Sequence, residues 1–267
     1  MTTSDDIPIG LEPLQPAFPR PTLPGGRVSI RPTADEAYDA LMADLLVHAS
    51  GCVRAFGDFH LAIDGSPSVE PLLSRMMWDP MLREFPWKKT HVWLLAESGD
   101  GCARGNTLRE FIVEPSDIPA TQFHAVAPGP DADVAYESLL RECLEWREKG
   151  QDRLDMVIAS LDAAGPLVRP AVPVDPGRLV APASGALGSG VSLTLELVNA
   201  SRLVAVVGIG SASRGALADL SKVFAAIAPQ DRARVDGTHP FALRLRPVGG
   251  ELRWYLDAEA LGGGPSA

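Results

Sequence analysis

"RLDMVIASLDAAGPLVRP", residues 153–170, reads as a buried strand and the loop that leaves it. Residues 156–159 are apolar without alternation, which suits a strand covered on both faces of a parallel sheet. Asp162 to Gly165 supply the turn, and Pro166 closes it. In open α/β sheets, ligands bind beyond the carboxyl ends of the strands. Yet this loop offers no nucleophile, base or cation before Arg169.

Working outward, apolar runs alternate with helical patterns. Strands are expected at 27–31, 59–63, 90–96, 202–210, 241–246 and 252–256, with "VSLTLEL" (191–197) reopening the C-terminal third. Thr33 and Glu36 form a capping-box pattern before a helix carrying Tyr38, Leu41, Met42, Leu45, Leu46 and Ala49. Further helices are expected near 69–77, 106–113, 136–144 and 212–224. This order gives an α/β fold: a mainly parallel open sheet with helices on both faces. Residues 1–26 hold too much proline for a helix interior or central strand and read as an extended, mobile arm, either a plain tail or a partner-binding segment. A single α/β domain then spans 27–261, followed by a flexible tail, 262–267. Proline- and glycine-rich chain from 165 to 190 is too long for a simple connection.

Composition narrows the function. The 267 residues are 46% apolar with a net charge of −10, which argues against nucleic-acid and acidic-membrane partners. No apolar run approaches the ~20 residues of a membrane span, and the acidic "MTTSDDIPIG" lacks a signal pattern. Cys52, Cys102 and Cys143 are widely spaced, which suits free, buried thiols in a reducing cytoplasm. Neither a Walker loop, HExxH nor GxSxG occurs, and "GIGSASRG" (208–215) misplaces the third glycine of a dinucleotide loop. His48, His60, His91, His124 and His239 fall in no metal or nucleophile spacing, so neither metal nor cofactor is expected; His60 and His91 are read as strand residues at the core.

An ordered set of segments resembles the 6-phosphogluconolactonases, within the sugar-phosphate isomerase-like fold. "SLTLELVNASRLVAVV" is similar to that family's "TLTLPxINxAxxVxFLV", and "ELRWYLDAEAL" to its closing segment. "FHLAIDGSPSVEPLLSRM" resembles its glycine-rich turn, "FPWKKTHVWLLAES" its "W.kVhvFwgDER", and "LDMVIASLDAAG" its "fDlvLLGmGxDGHtAS". The resemblance runs from about residue 28 to 260. It implies metal-independent hydrolysis of 6-phosphogluconolactone in the pentose phosphate pathway. Phosphate would be held by the glycine-rich turn and basic residues, and water activated by a histidine.

Carried over residue by residue, the resemblance implies losses. The glycine-rich turn falls on Gly65, Ser66, Pro67, Ser68 and Val69, where Pro67 has no N–H to offer. Asp-Glu-Arg falls on Ala96, Glu97 and Ser98; Arg104 either stands in for the lost cation or is an exposed surface arginine, the preferred expectation. Asp-Gly-His falls on Ala164, Gly165 and Pro166, so proline occupies the base position. The family's arginine falls on Gly190 and its lysine on Ser213, with Arg214 one position on. Candidate ligand contacts are therefore Gly65, Ser66, Ser68, Gly165 and Arg214, with Glu97 the candidate base. Three readings stay open: a lactonase-like protein without lactonase chemistry, a divergent sugar-lactone hydrolase using Glu97, and a sensor or scaffold. The ligand expected is a small sugar phosphate or sugar acid, with the N-terminal arm open to a protein partner.

Overall fold

The computed structural model describes residues 18–99, 102–150, 152–162, 174–183 and 190–263. In chain order the elements are β1 (Arg27–Arg31), α1 (Ala34–Phe56), β2 (Phe59–Ile63), α2 (Glu70–Trp78), β3 (Thr90–Leu94), β4 (Ala96–Glu97), α3 (Ala103–Leu108), β5 (Phe123–His124) and α4 (Ala132–Leu144). Then follow β6 (Met156–Ser160), β7 (Val180–Pro182), β8 (Val191–Leu193), α5 (Leu195–Ala200), β9 (Leu203–Gly208), α6 (Gly210–Ala226) and β10 (Glu251–Asp257). As expected, Thr33 caps α1, its hydroxyl accepting from the Glu36 amide at 3.2 Å.

A seven-stranded sheet runs in the order β1-β10-β9-β6-β2-β3-β5, every pair parallel. Each residue of β2, β6 and β9 is buried, so both sheet faces are covered, as unbroken apolar runs require. From β2 the chain moves outward to β3, and from β6 it moves the other way to β9. The strand order therefore reverses between β2 and β6, which makes their carboxyl ends the topological switch point of the sheet. A smaller antiparallel sheet, β4-β8-β7, stands beside that end.

The amino ends of the central strands are tied by charge. Arg147 bonds Asp155 at 2.9 and 3.0 Å and also pairs with Asp58, while Arg202 reaches Asp155 at 2.9 Å. Asp155 in turn accepts the His60 amide at 2.8 Å. Asp58 precedes β2, Asp155 precedes β6 and Arg202 precedes β9, so one buried network sets the register of three neighbouring strands.

Several expected elements differ. Residues 241–246 are not a strand: Phe241–Arg244 is a 3₁₀ turn after Pro240, with Phe241, Ala242 and Leu243 buried in succession rather than alternately. "VSLTLEL" is a strand only through Leu193; Thr194 then caps α5 by accepting from the Leu197 amide at 3.3 Å. The expected strand 90–96 splits, because Ala96 and Glu97 leave the parallel sheet to pair with β8. Of the segment 1–26 read as an arm, residues 1–17 lie outside the described residues; within 18–26 the Thr22 amide bonds Ser221 Oγ at 2.9 Å, Leu23 packs on the core and Pro24 is buried. Gly262 and Gly263, placed in the expected tail, fold back through their amides onto Glu259 and Ala258. No helix among the described residues is long and apolar enough to cross a membrane.

Candidate functional site

At the switch point, β2 ends at Ile63 and β6 at Ser160. The next residue after β2, Asp64, is fully buried and forms the hub of the site. Its Oδ1 accepts the Ser66 amide at 3.1 Å and pairs with the Arg104 guanidinium. Its Oδ2 accepts the Ser66 hydroxyl at 3.0 Å and the Ser160 hydroxyl. Ser66 Oγ also lies 2.9 Å from Ser68 Oγ and 3.2 Å from Ser160 Oγ, and Ser68 donates to Asp162. Ser66, Ser160 and Asp162 are themselves buried and only Ser68 is exposed, so the cluster is a hydrogen-bonded knot open to solvent at Ser68.

The backbone explains this arrangement. Pro67 begins a short 3₁₀ turn (Pro67–Val69) that feeds α2, so the chain bends sharply after Ser66 and turns its hydroxyl back onto Asp64. Gly65 is fixed by close approach. A Cβ there would lie 2.9 Å from the carbonyl carbon of Arg104, so only glycine lets the β2 loop press against the start of α3.

Arg104 corrects the expectation of a surface side chain. Only 11% of it is exposed, and it faces Asp64. The site therefore does contain a cation near Gly65, but one matched by a buried carboxylate. The structure brings the hydroxyls of Ser66 and Ser68 together, Ser66 buried and bonded to Asp64, Ser68 exposed and bonded to Asp162.

Glu97 is buried, with 3% exposure, and both its oxygens are occupied. Oε1 accepts the Ser98 amide at 2.9 Å and the Arg104 amide at 3.2 Å, and Oε2 accepts the Gly105 amide at 2.7 Å. The carboxylate thus satisfies free amides at the start of α3, the task of a helix cap. It also lines a cavity of about 390 Å³ with Ser98, Cys102, Val126, Pro128 and Val191. Asp257 plays the same part at α6, accepting the Gly210 amide at 3.0 and 3.1 Å.

Arg214 is exposed, and its Nε donates to the Glu259 carbonyl at 3.0 Å; it makes no hydrogen bond to the Asp64 cluster among the described residues. Ser213, at the lysine position, is buried and donates to the Ile209 carbonyl at 3.0 Å. Gly165 and Pro166 lie outside the described residues. Sequence reasoning missed Asp64, Ser160 and Asp162 as site members. The available signal was a polar or acidic residue directly after a wholly apolar strand, at positions 64 and 160–162.

No protein-family model matches the chain. A curated human protein, the GDH/6PGL endoplasmic bifunctional protein, is 25% identical over 244 residues, covering 85% of this chain. The chain spans only 29% of that relative's length. Among solved structures, 6-phosphogluconolactonase from Trypanosoma cruzi superposes with a TM-score of 0.68 at 16% identity, covering 91% of this chain and 98% of that one. A monomeric glucosamine-6-phosphate deaminase of the NagB superfamily gives 0.64 at 11% identity, covering 88% and 99%. The parallel sheet with its switch point between β2 and β6 is thus the fold of the 6-phosphogluconolactonases and of that deaminase, and in sequence the chain is similar over most of its own length to part of the GDH/6PGL bifunctional protein.

Proposed function

We propose that this chain is a 6-phosphogluconolactonase-like protein of carbohydrate metabolism in which the lactonase chemistry is lost or strongly impaired. One observation carries the reading: donors that would meet a phosphate at the switch point are already committed to Asp64. An anion site at a loop or helix start works because its N–H and cationic groups lack a protein partner. Here the Ser66 amide and hydroxyl, the Ser160 hydroxyl and the Arg104 guanidinium converge on one carboxylate. Glu97 and Asp257 treat the starts of α3 and α6 in the same way. Together with Asp162, these carboxylates make the carboxyl end of the sheet a poor host for a dianion. The sequence adds Pro166 at the position where the resemblance puts the base.

The test is hydrolysis of 6-phosphogluconolactone by the purified full chain, with 6-phosphogluconate binding followed by calorimetry. The expected result is hydrolysis at the buffer rate and no resolvable heat. Turnover at an enzymatic rate would overturn the proposal. Heat without turnover would assign a sensor role instead.

A second reading, a divergent sugar-lactone hydrolase, is favoured by the cavity beside Glu97. It requires Glu97 to release an amide partner before accepting a proton. Activity on an unphosphorylated lactone that disappears in Glu97→Gln would support it. A cytosolic location belongs to the same proposal and is supported by the free thiols of Cys52, Cys102 and Cys143.

A further inference from the structure

Away from the switch point, the sheet gathers three of the five histidines. His60 on β2 and His91 on β3 are register partners, and His124 on β5 pairs with Trp93 two residues along β3. Side chains alternate between sheet faces with period two, so His60, His91, Trp93 and His124 share one face. Their rings stack: His60 and His91 at 4.4 Å between centroids, His91 and His124 at 5.2 Å, and His124 and Trp93 at 3.8 Å. Cys143 reaches the same place from α4.

We infer that His91, His124 and Cys143 form a binding site for a zinc-class transition-metal ion. The donor atoms of these three residues all lie within 4.8 Å of one another. His91 Nδ1 and His124 Nε2 stand 3.0 Å apart. Two imidazoles on a tetrahedral zinc, with Zn–N bonds of about 2.05 Å, hold their nitrogens about 3.4 Å apart. The pair therefore needs to open by only a few tenths of an ångström. Two imidazoles and a thiolate are donors of intermediate to soft character, the set that selects zinc or copper over magnesium and calcium. His91 and Cys143 are half-buried while His124 is buried, so the ion has access from solvent on one side, where water can complete the shell.

A second cluster, Asp58, His60 and His91, has no comparable donor set. Indole N–H can only donate, so the 3.1 Å bond from Trp93 Nε1 makes His60 Nδ1 the acceptor and leaves the ring proton on Nε2. That proton is directed at Asp58 Oδ2, 3.2 Å away, and Asp58 also pairs with Arg147. His60 thus offers no free lone pair, and it acts as a rigid wall that stacks on His91 and holds its plane.

Burial, followed by the neighbouring imidazole of His60, lowers His91 to about 4. Burial, then His91 and His60, lowers His124 to about 3. Both rings are neutral at physiological pH. The ring that donates the bridging proton has its outer nitrogen free, so the proton can move there when the metal takes its place. Burial, aided by the carboxylates of Glu142 and Asp58, keeps Cys143 as a thiol without metal. Binding then replaces the S–H bond by a metal–sulfur bond and releases one proton to solvent.

The experiment uses the metal-stripped full chain titrated with Co²⁺ and, separately, Zn²⁺. One Co²⁺ per chain with a thiolate-to-cobalt charge-transfer band is expected, displaced by Zn²⁺ with release of about one proton. Cys143→Ser should abolish the band, and His91→Gln should weaken Co²⁺ binding at least about tenfold, while Cys102→Ser leaves both unchanged. Far-UV circular dichroism would establish that each variant is folded, and His91, being half-buried, is the safer of the two histidines to change. A wild-type chain without a band, or a band of equal strength in folded Cys143→Ser, would overturn the assignment.

Discussion

Asp64→Asn tests both the architecture of the switch point and the functional reading. The substitution keeps the shape of the side chain and removes its charge. Arg104, 11% exposed and paired with Asp64, is then left as an uncompensated, nearly buried cation. Breaking a buried pair from one side costs about 3–5 kcal/mol, and the small opening of Arg104 to solvent places this case near about 3 kcal/mol. For a domain of this size that corresponds to a Tm lowered by roughly 6–12 °C. Urea unfolding should show the loss as a lower midpoint at unchanged slope. In a double-mutant cycle with Arg104→Leu, the two residues should couple by about 1–3 kcal/mol. The functional arm is calorimetry with inorganic phosphate. The variant frees the Ser66 amide, the Ser66 and Ser160 hydroxyls and Arg104 from a competing anion, so it should bind phosphate more tightly than the natural chain. A stability change within about 0.5 kcal/mol, typical of a surface site, would refute the hub role of Asp64. Equal phosphate affinity in both proteins would refute the argument that the donors are already engaged.

Four further outcomes are expected. Arg147→Met leaves Asp58 and Asp155 facing each other across a buried gap, with Arg202 still on Asp155, and should lower urea-measured stability by about 3–5 kcal/mol. Gly65→Ala drives a methyl group into the Arg104 backbone and should cost about 1–3 kcal/mol by the same measurement. By contrast Gly51→Ala, in the middle of α1 with nothing within 4 Å of the added carbon, should stabilise by up to about 1 kcal/mol. Burial alone would raise the Glu137 carboxyl, but hydrogen bonds from Arg178, Arg141, Val180 and Leu179 together hold it below the usual glutamate range. A lowered folded value means stability that is full above the unfolded pKa and lost as pH falls through the folded one. Urea midpoints should therefore drop below about pH 4.5, and Glu137→Gln should flatten that limb.

The fold was legible because it rests on period and burial. Residues 59–63, 156–159 and 203–208 are apolar at every position or nearly so, which only strands covered on both faces require, and Thr33 marked the start of α1 where its hydroxyl now caps it. The errors fell where local pattern could not separate two outcomes. "FALRLR" alternates like a strand, yet Phe241, Ala242 and Leu243 are all inside. "THVWLLA" has no break to show that Ala96 changes sheet. The site was harder for a different reason: its members are distant in sequence and meet only through the sheet. Arg104 read as an exposed surface arginine because nothing in its neighbourhood along the sequence shows that the Gly65 loop packs against it. His60, His91 and His124 have no motif spacing because strand register, not sequence separation, aligns them.

The same distinction bears on the proposed loss of lactonase chemistry. A drifting protein that merely shed catalytic residues would leave orphaned amides at its loop and helix starts, and buried amides without partners cost about 1–3 kcal/mol each. Here Asp64 follows β2, Glu97 precedes α3 and Asp257, at the end of β10, faces the start of α6, each accepting backbone amides from its own chain. An enzyme that needs phosphate there must leave those donors open and tolerate the cost until substrate arrives. A carboxylate from the chain removes that cost permanently and, by its charge, excludes the dianion. The arrangement is the one that the proposed loss of lactonase chemistry requires, because under that proposal stability and phosphate binding do not compete at this end of the sheet. The register network around Arg147 lies at the opposite ends of the strands, so it does not depend on what the loops bind.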